Sequence, residues 1–327
     1  MQDSSQKEIQ NNNVAIPSPH TGTVALFGEV LVDKFPDRNV LGGAPFNVAR
    51  HLQAFCLHPV LITRTGNDKL RDELLGAMTE RGMDIRGVQP DPVHPTGQVM
   101  VHMENGGHRF EILSEQAYDY IHAGVTRMIA LAVQPELVYF GTLAQRHPTS
   151  RRALGSLLKS AIAPRFLDIN LREPWYDLKT LKRSLNQANI IKLNNEELLH
   201  ISKLLRIGGT DETTKAALLA EQFNISQVLV TKGEQGAWLR NESGAITDLQ
   251  PDATQPDIHI ADTVGAGDGF ASVFILGLFK KWTPEQSLQR ADQFARAICG
   301  IRGAIPQDDQ FYAPFRTAWS LKKEDHS

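Results

Sequence analysis

Cysteine is scarce in this chain: Cys56 and Cys299 are the only two in 327 residues, far apart and without metal-ligand spacing. That excludes a disulfide framework and a zinc site, and it fits a reducing cytoplasm. An excess of one charge is also missing, because 34 Lys and Arg stand against 37 Asp and Glu, a net charge of −3 with a pI near 6.4. Without a basic field there is no general grip on a phosphate backbone, so nucleic acid is not an expected partner. No apolar run approaches the roughly 20 residues that a membrane-spanning helix needs, so no membrane partner is expected either. The opening "MQDSSQKEIQNNNVAIPSPHTG" lacks the basic start and apolar core of a secretory signal, and residues 1–22 read as a disordered lead. Residues 319–327 read as a polar tail. The chain has no Gly-Lys dipeptide, hence no Walker A loop, and no His-Glu-x-x-His pattern among its 11 scattered histidines.

What is present is an alternation. "VALFGEVLVD" (Val24 to Asp33) reads as a first strand, "FNVARHLQAF" as a helix with Pro45 at its first turn, "PVLITRTGND" as a strand and "LRDELLGAMTERGM" as a helix. This rhythm predicts an α/β fold of three layers, α/β/α, around a mostly parallel sheet. It breaks over residues 94–120, where "TGQVMVHMENGGHRFEILSEQ" places two strand-like runs around an Asn-Gly-Gly turn. With the segment at about 31–45, that hairpin predicts a small β lid inserted in a domain spanning 23–318. The alternation resumes with strands at "ELVYFG", "RFLDIN", "ANIIKLN" and "QVLVTKG", then a polar segment from Asn241 to Asp257 and two final helices. Thr283, Pro284 and Gln286 mark the start of the last one.

The most informative stretch is "ADTVGAGDGFAS", residues 261–272, where a strand-like "DIHIA" leads into glycines and then into an apolar helix. The first amides of a helix have no intrahelical partner and favour an anion. Gly265, Ala266 and Gly267 carry no bulk that would keep a phosphate away from those amides. Asp268 is the odd member, since a carboxylate beside a bound phosphate raises the electrostatic energy unless it has a task. Accepting a proton from an attacking hydroxyl is one such task. Plain helix capping is the other reading of the same aspartate. A dinucleotide fingerprint is excluded, because Phe270 stands where its third glycine would be.

"DTVGAGDGF" resembles the C-terminal signature of the ribokinase-like sugar kinase family of phosphofructokinase B type, and "GGAPFNVARHL" resembles its N-terminal partner motif. "GEVLVD", "TGND", "AYD", "DINLR", "NNEE", "TKGEQGA" and "RGA" follow in family order, so the resemblance covers the chain after residue 22. It implies an ATP-dependent kinase phosphorylating a primary hydroxyl of a small sugar, most similar to fructokinases, with 2-keto-3-deoxygluconate, or another sugar or nucleoside of the family's range, as the alternative acceptor. A non-catalytic sugar or nucleotide sensor on the same scaffold is the alternative of a different class.

By the same resemblance Asp268 is the base, with the Gly265, Ala266 and Gly267 amides as anion hole. Asp33, Gly42, Gly43 and Asn47 bind the sugar, with Asp33 placed at the end of the first strand. Arg172 contacts the sugar or the phosphate, or else pairs with Asp168. Asn194, Thr231, Gly233, Gly236, Ala295 and Cys299 line the nucleotide site. Glu197 influences Mg2+ through water, the backbone around Asp262 and Val264 holds K+, and a homodimer forms through the lid strands.

Overall fold

The computed structural model describes residues 22–104, 107–250 and 260–321. The lead before residue 22, the end of the tail and the Asn105–Gly106 part of the hairpin turn lie outside the described residues. The strands in chain order are β1 (Thr23–Phe27), β2 (Leu31–Lys34), β3 (Asn39–Gly42), β4 (His58–Gly66), β5 (Val88–Asp91), β6 (Gly97–Glu104), β7 (Gly107–Ile112), β8 (Leu137–Phe140), β9 (Arg165–Asp168), β10 (Ile190–Asn194), β11 (Gln227–Thr231), β12 (Ala237–Arg240) and β13 (Ile246–Leu249). Among the described residues, nine form one sheet in the order β13-β12-β11-β10-β9-β8-β1-β4-β5. It is parallel from β11 to β5, with β12 and β13 added antiparallel at one edge.

The two-residue period of a strand explains the layers. In β1, Val24 and Leu26 point into a core they share with Leu52, Phe274 and Phe294. Ala25 and Phe27 point into the opposite core, with Leu157, Leu185 and Leu219. Helices α1 (Ala44–Ala54), α2 (Lys69–Glu80) and, further along, α8 (Ala266–Lys280) and α9 (Pro284–Cys299) supply the first core. The other is covered by α4 (Pro148–Ser160), α5 (Leu178–Gln187), α6 (Asn195–Leu205) and α7 (Glu212–Phe223), with α3 (Ala123–Val133) packed on α4. A short α10 (Ala313–Ala318) follows α9, and Trp319 and Leu321, assigned above to a tail, are buried in the first core. Helix α8 is apolar nearly all round because it is covered by both α1 and α9. The Thr283–Gln286 capping box starts α9 as expected.

The smaller sheet has the order β3-β2-β6-β7. It is the expected lid, and it corrects one expectation: Val24 to Asp33 is two strands in two different sheets. Gly28, at φ 153, interrupts the run against the Pro45 ring, and the chain leaves the main sheet before Leu31. Asp33 therefore lies on lid strand β2, opposite Val40, and not at the end of a central strand. The lid is fastened by Asp68, which caps α2 and also accepts from the Thr96 amide (2.8 Å) and hydroxyl (2.7 Å) at the start of β6. One further reading is corrected. The polar segment 241–257 contains β13, a half-exposed edge strand without the apolar run that announces a buried one. Most of the strand-like "DIHIA", residues 257–259, lies outside the described residues, and Ile260 and Ala261 carry no strand.

Candidate active site

Gly43 and Gly265 mark the two helix starts that meet in the cleft. Gly43 precedes α1 at φ 105, and a Cβ there would stand 2.7 Å from the Glu29 carbonyl oxygen. Gly42, the last residue of β3, leaves room for the Asp33 carboxylate, 3.4 Å from where its own Cβ would be. Asn47 is buried one turn into α1, and its Nδ2 donates to Asp268 Oδ2 at 2.7 Å. The residue expected at the sugar thus gives one amide N–H to Asp268, and its Oδ1 has no partner among the described residues.

Asp268 lies in the first turn of α8. Burial pushes its carboxyl up to about 6, the Asn47 hydrogen bond and the charges of Lys192 and Arg172 pull the other way, and Asp168 adds to the rise. The turn before it is held by Asp262, whose carboxylate accepts from the Val264 amide (3.0 Å) and the Gly303 amide (3.1 Å). Of the three expected anion-hole amides, that of Ala266 is already donated to the Thr263 carbonyl at 3.3 Å. The N–H groups of Gly265, Gly267 and Asp268 have no partner among the described residues. The amides left for an anion therefore start at Gly265 as expected, but skip Ala266 and run on to Asp268.

Asp33 is half-buried, and burial raises its carboxyl to about 6 against the opposing charge of Arg172. Arg172 is exposed and pairs with no acid among the described residues, while its charge reaches Asp33, Glu29 and Asp268. The alternative of an Asp168–Arg172 pair is not formed. Asp168 is bound instead by Lys192 Nζ, 3.0 Å from each carboxylate oxygen, and by the Tyr139 hydroxyl at 3.1 Å. Burial alone would lower the Lys192 ammonium, but Asp168 holds it above its usual value. This cation lies under the glycine turn, 3.5 Å from where a Cβ on Gly267 would be. Sequence reasoning missed it, although a lone lysine inside "NIIKLN" was the signal. Lys192→Met is expected to cost about 3–5 kcal/mol, because it leaves Asp168 buried without its counter-ion. Denaturant melts check this, and a loss below about 1 kcal/mol would show that the pair is not what holds β9 to β10 here.

The remaining residues lie along the same sheet edge. Asn194 caps α6 and sits in register beside Thr231, at the ends of parallel strands β10 and β11. Glu197 is engaged by two backbone amides, Asn194 (2.9 Å) through Oε2 and Leu171 (2.7 Å) through Oε1, and burial raises its carboxyl. Gly233 is open on its Cβ side, whereas Gly236 is required for packing, since a Cβ there would meet the Leu249 carbonyl oxygen at 2.2 Å. Arg296 of α9 reaches the Glu234 carbonyl at 3.4 Å, bringing the helix that carries Ala295 and Cys299 to this turn. The Cys299 carbonyl accepts from the Ala261 and Asp262 amides, and burial raises its thiol, so it packs rather than reacts. No group of three or more His, Cys, Asp or Glu among the described residues is arranged to hold a metal ion. No helix among them is long and apolar enough to cross a membrane.

A mostly parallel sheet covered on both faces, a four-stranded lid and a carboxylate at a glycine-rich helix start define a ribokinase-like phosphotransferase. The chain belongs to the pfkB family of carbohydrate kinases, whose description it matches over residues 22–310. Fructokinase of Escherichia coli is 27% identical over 318 residues, covering 92% of this chain and 99% of that protein. Fructokinase of Xylella fastidiosa with bound ATP superposes with a TM-score of 0.79 at 17% identity, covering 92% of this chain and all (100%) of that one. A double mutant of Vibrio cholerae fructokinase, in a form with fructose, ADP and potassium bound, gives 0.71 at 22% identity, covering 90% and 99%.

Proposed function

We propose that this kinase transfers the γ-phosphoryl group of ATP to a primary hydroxyl of a small neutral sugar, with fructose as first choice. The observation that carries this reading is Asp268: a recessed carboxylate, oriented by Asn47, at a helix start whose Gly267 and Asp268 amides are unpaired. Asp268 takes the hydroxyl proton as the new O–P bond forms and the bond from the γ-phosphorus to the β,γ-bridging oxygen breaks to release ADP, while those amides and Gly265 face the phosphoryl oxygens. Such catalysis depends mainly on positioning and electrostatics. Closure of the lid over the sugar keeps water from the phosphoryl group.

Charge favours a neutral acceptor. Glu29, Asp33 and Asp268 supply acceptors, the cation Arg146 is neutralised by Asp119 at 2.7 Å, and Arg172, whose charge reaches all three acids, pairs with no acid among the described residues. That lone guanidinium is what favours the second reading, 2-keto-3-deoxygluconate, whose carboxylate it would bind.

ATP would lie along Asn194, Thr231, Gly233, Gly236, Ala295 and Cys299. Glu197 suits Mg2+ only through water, because each of its carboxylate oxygens already accepts a backbone amide. Potassium would take backbone oxygens around Asp262 and Val264, next to the turn that Asp262 staples. The lid strands are the surface for a homodimer, since a sheet edge is a ready pairing surface, and the cytoplasm is the proposed compartment.

An ADP-release assay across fructose, ribose, 2-keto-3-deoxygluconate, fructose phosphates and nucleosides tests the reading. Fructose is expected to give the highest kcat/KM, by about tenfold or more over the acidic sugar. A faster rate with the acidic sugar would promote the second reading. Sugar binding without ADP release would instead point to a sensor.

A further inference from the structure

Four buried side-chain atoms without a hydrogen-bond partner belong to one neighbourhood: Glu29 Oε2, Asn47 Oδ1, the Tyr118 hydroxyl and Arg146 Nη1. Folded chains leave few such atoms orphaned, so a group of them in one place calls for a ligand. Glu29 follows β1 in the break that separates the main sheet from the lid. Its carboxyl is within electrostatic reach of Asp268, Arg172 and Arg146, and Tyr118 is within reach of both Arg146 and Glu29.

Each of the three residues beyond Asn47 is held by other contacts. Arg146 spends Nε and Nη2 on Asp119 (2.7 and 2.8 Å) and Nη2 also on the Leu113 carbonyl (2.6 Å). Its guanidinium lies 5.0 Å from the Tyr118 ring centre and 4.3 Å from that of Trp175. The Tyr118 ring fills space that only Gly97 leaves open, since a Cβ there would stand 2.8 Å from two ring carbons. The Glu29 backbone is trapped under Gly43. Held in this way, the four atoms meet none of one another at full hydrogen-bonding geometry, although the Arg146 side chain lies close enough to the Tyr118 hydroxyl to favour its ionised form, and they present two acceptors, one donor and one hydroxyl able to do either.

Resting on the sugar-kinase reading above, we propose that Glu29, Tyr118 and Arg146 form a hydroxyl-reading floor that decides which polyhydroxylated acceptors enter the cleft. Glu29 and Asn47 accept from sugar hydroxyls, Arg146 Nη1 donates to a sugar oxygen, and Tyr118 joins the same network. None of the three is needed for proton transfer, so they act on acceptor binding and selectivity. A site built to pair with a hydroxyl rejects an analogue that lacks it, because its own buried group is then left unpaired.

The test is Glu29→Gln and Tyr118→Phe, assayed with fructose and a set of singly deoxygenated fructose analogues. Glu29→Gln is expected to raise KM for the sugar about 10- to 100-fold, with KM for ATP unchanged. In wild type one deoxy analogue should be strongly penalised. That penalty should largely vanish in Glu29→Gln and shrink in Tyr118→Phe, while the other analogues keep theirs. An unchanged KM, or an equal loss on every analogue, would overturn the floor. Calorimetric binding of the same sugars without nucleotide separates this from the kinase reading. Glu29-dependent binding with no turnover on any sugar sinks the kinase reading and keeps the floor. Binding indifferent to Glu29, or no sugar binding at all, sinks the floor.

Discussion

Asp268→Asn is expected to cut turnover about 10²–10⁴-fold, the usual contribution of a positioned general base, with little change in sugar binding. The amide is isosteric, and its oxygen still accepts from Asn47 Nδ2, so the geometry of the cleft survives while the proton acceptor is gone. The same change should stabilise the fold. The Asp268 carboxyl titrates at about 6 in the folded chain because burial disfavours its charge, against about 3.9 when unfolded. The folded state therefore holds the proton more tightly between those values. Its stabilising contribution is complete below pH about 4 and is lost as the pH rises through about 6.

At pH 7 wild type bears that penalty and the asparagine variant does not, a difference of about 1–3 kcal/mol in favour of the variant. Denaturant melts at pH 4 and pH 7 check the slope, and ADP release checks the rate. Near-normal turnover would remove Asp268 from the chemistry. In wild type the rate should fall as the pH drops below about 6, where the carboxylate takes a proton. Asp33, at about 6, and Glu29, at about 7, titrate in the same window, so the profile belongs to the cluster.

Gly265→Ala should damage both folding and activity. Gly265 caps α8 at φ 82, and an added Cβ would stand 2.3 Å from the Ala304 Cβ and 2.4 Å from its Cα. The left-handed conformation costs about 1–2 kcal/mol for an L-residue, and forcing atoms into a packed contact adds about 1–3 kcal/mol. Any relief moves the start of α8 relative to the 303–304 turn, and with it the amides beside Asp268. A displacement near 1 Å in such a site costs about 10²-fold in rate. Gly155→Ala is the control, because that glycine sits inside α4 with open space around it. It should stabilise by about 0.5–1 kcal/mol and leave the rate alone. Equal melting temperatures and rates for the two variants would show that the Gly265–Ala304 contact is not restrictive.

Much of the molecule was legible because its signals are local. The strand–helix alternation, the hairpin interruption, the Thr283 capping box and the glycine turn before α8 each depend on residues within a few positions of one another. The misreadings were not local. "VALFGEVLVD" looks like one strand because both halves are apolar, and only the contact of Gly28 with Pro45 divides them between sheets. The strand at Ile246–Leu249 hid in a polar stretch because an edge strand needs little apolar surface. Lys192 and Glu29 were visible as charged residues inside apolar runs, yet the groups that act on them, Asp168 on Lys192 and Asp268, Arg172 and Arg146 on Glu29, come from elsewhere in the chain.

By itself the sequence determined the fold class, the lid and the presence of an aspartate at a glycine-rich helix start, because periodicity and turn chemistry act between near neighbours. Only the tertiary structure decided that Asn47, 221 positions away, gives its amide to Asp268. It also decided that Lys192 takes Asp168 from Arg172, and that Glu29, Tyr118 and Arg146 come within electrostatic reach of one another. Hydrogen bonds and ion pairs depend on where atoms stand in space, and that is set when the lid, α1, α8 and the sheet edge pack together.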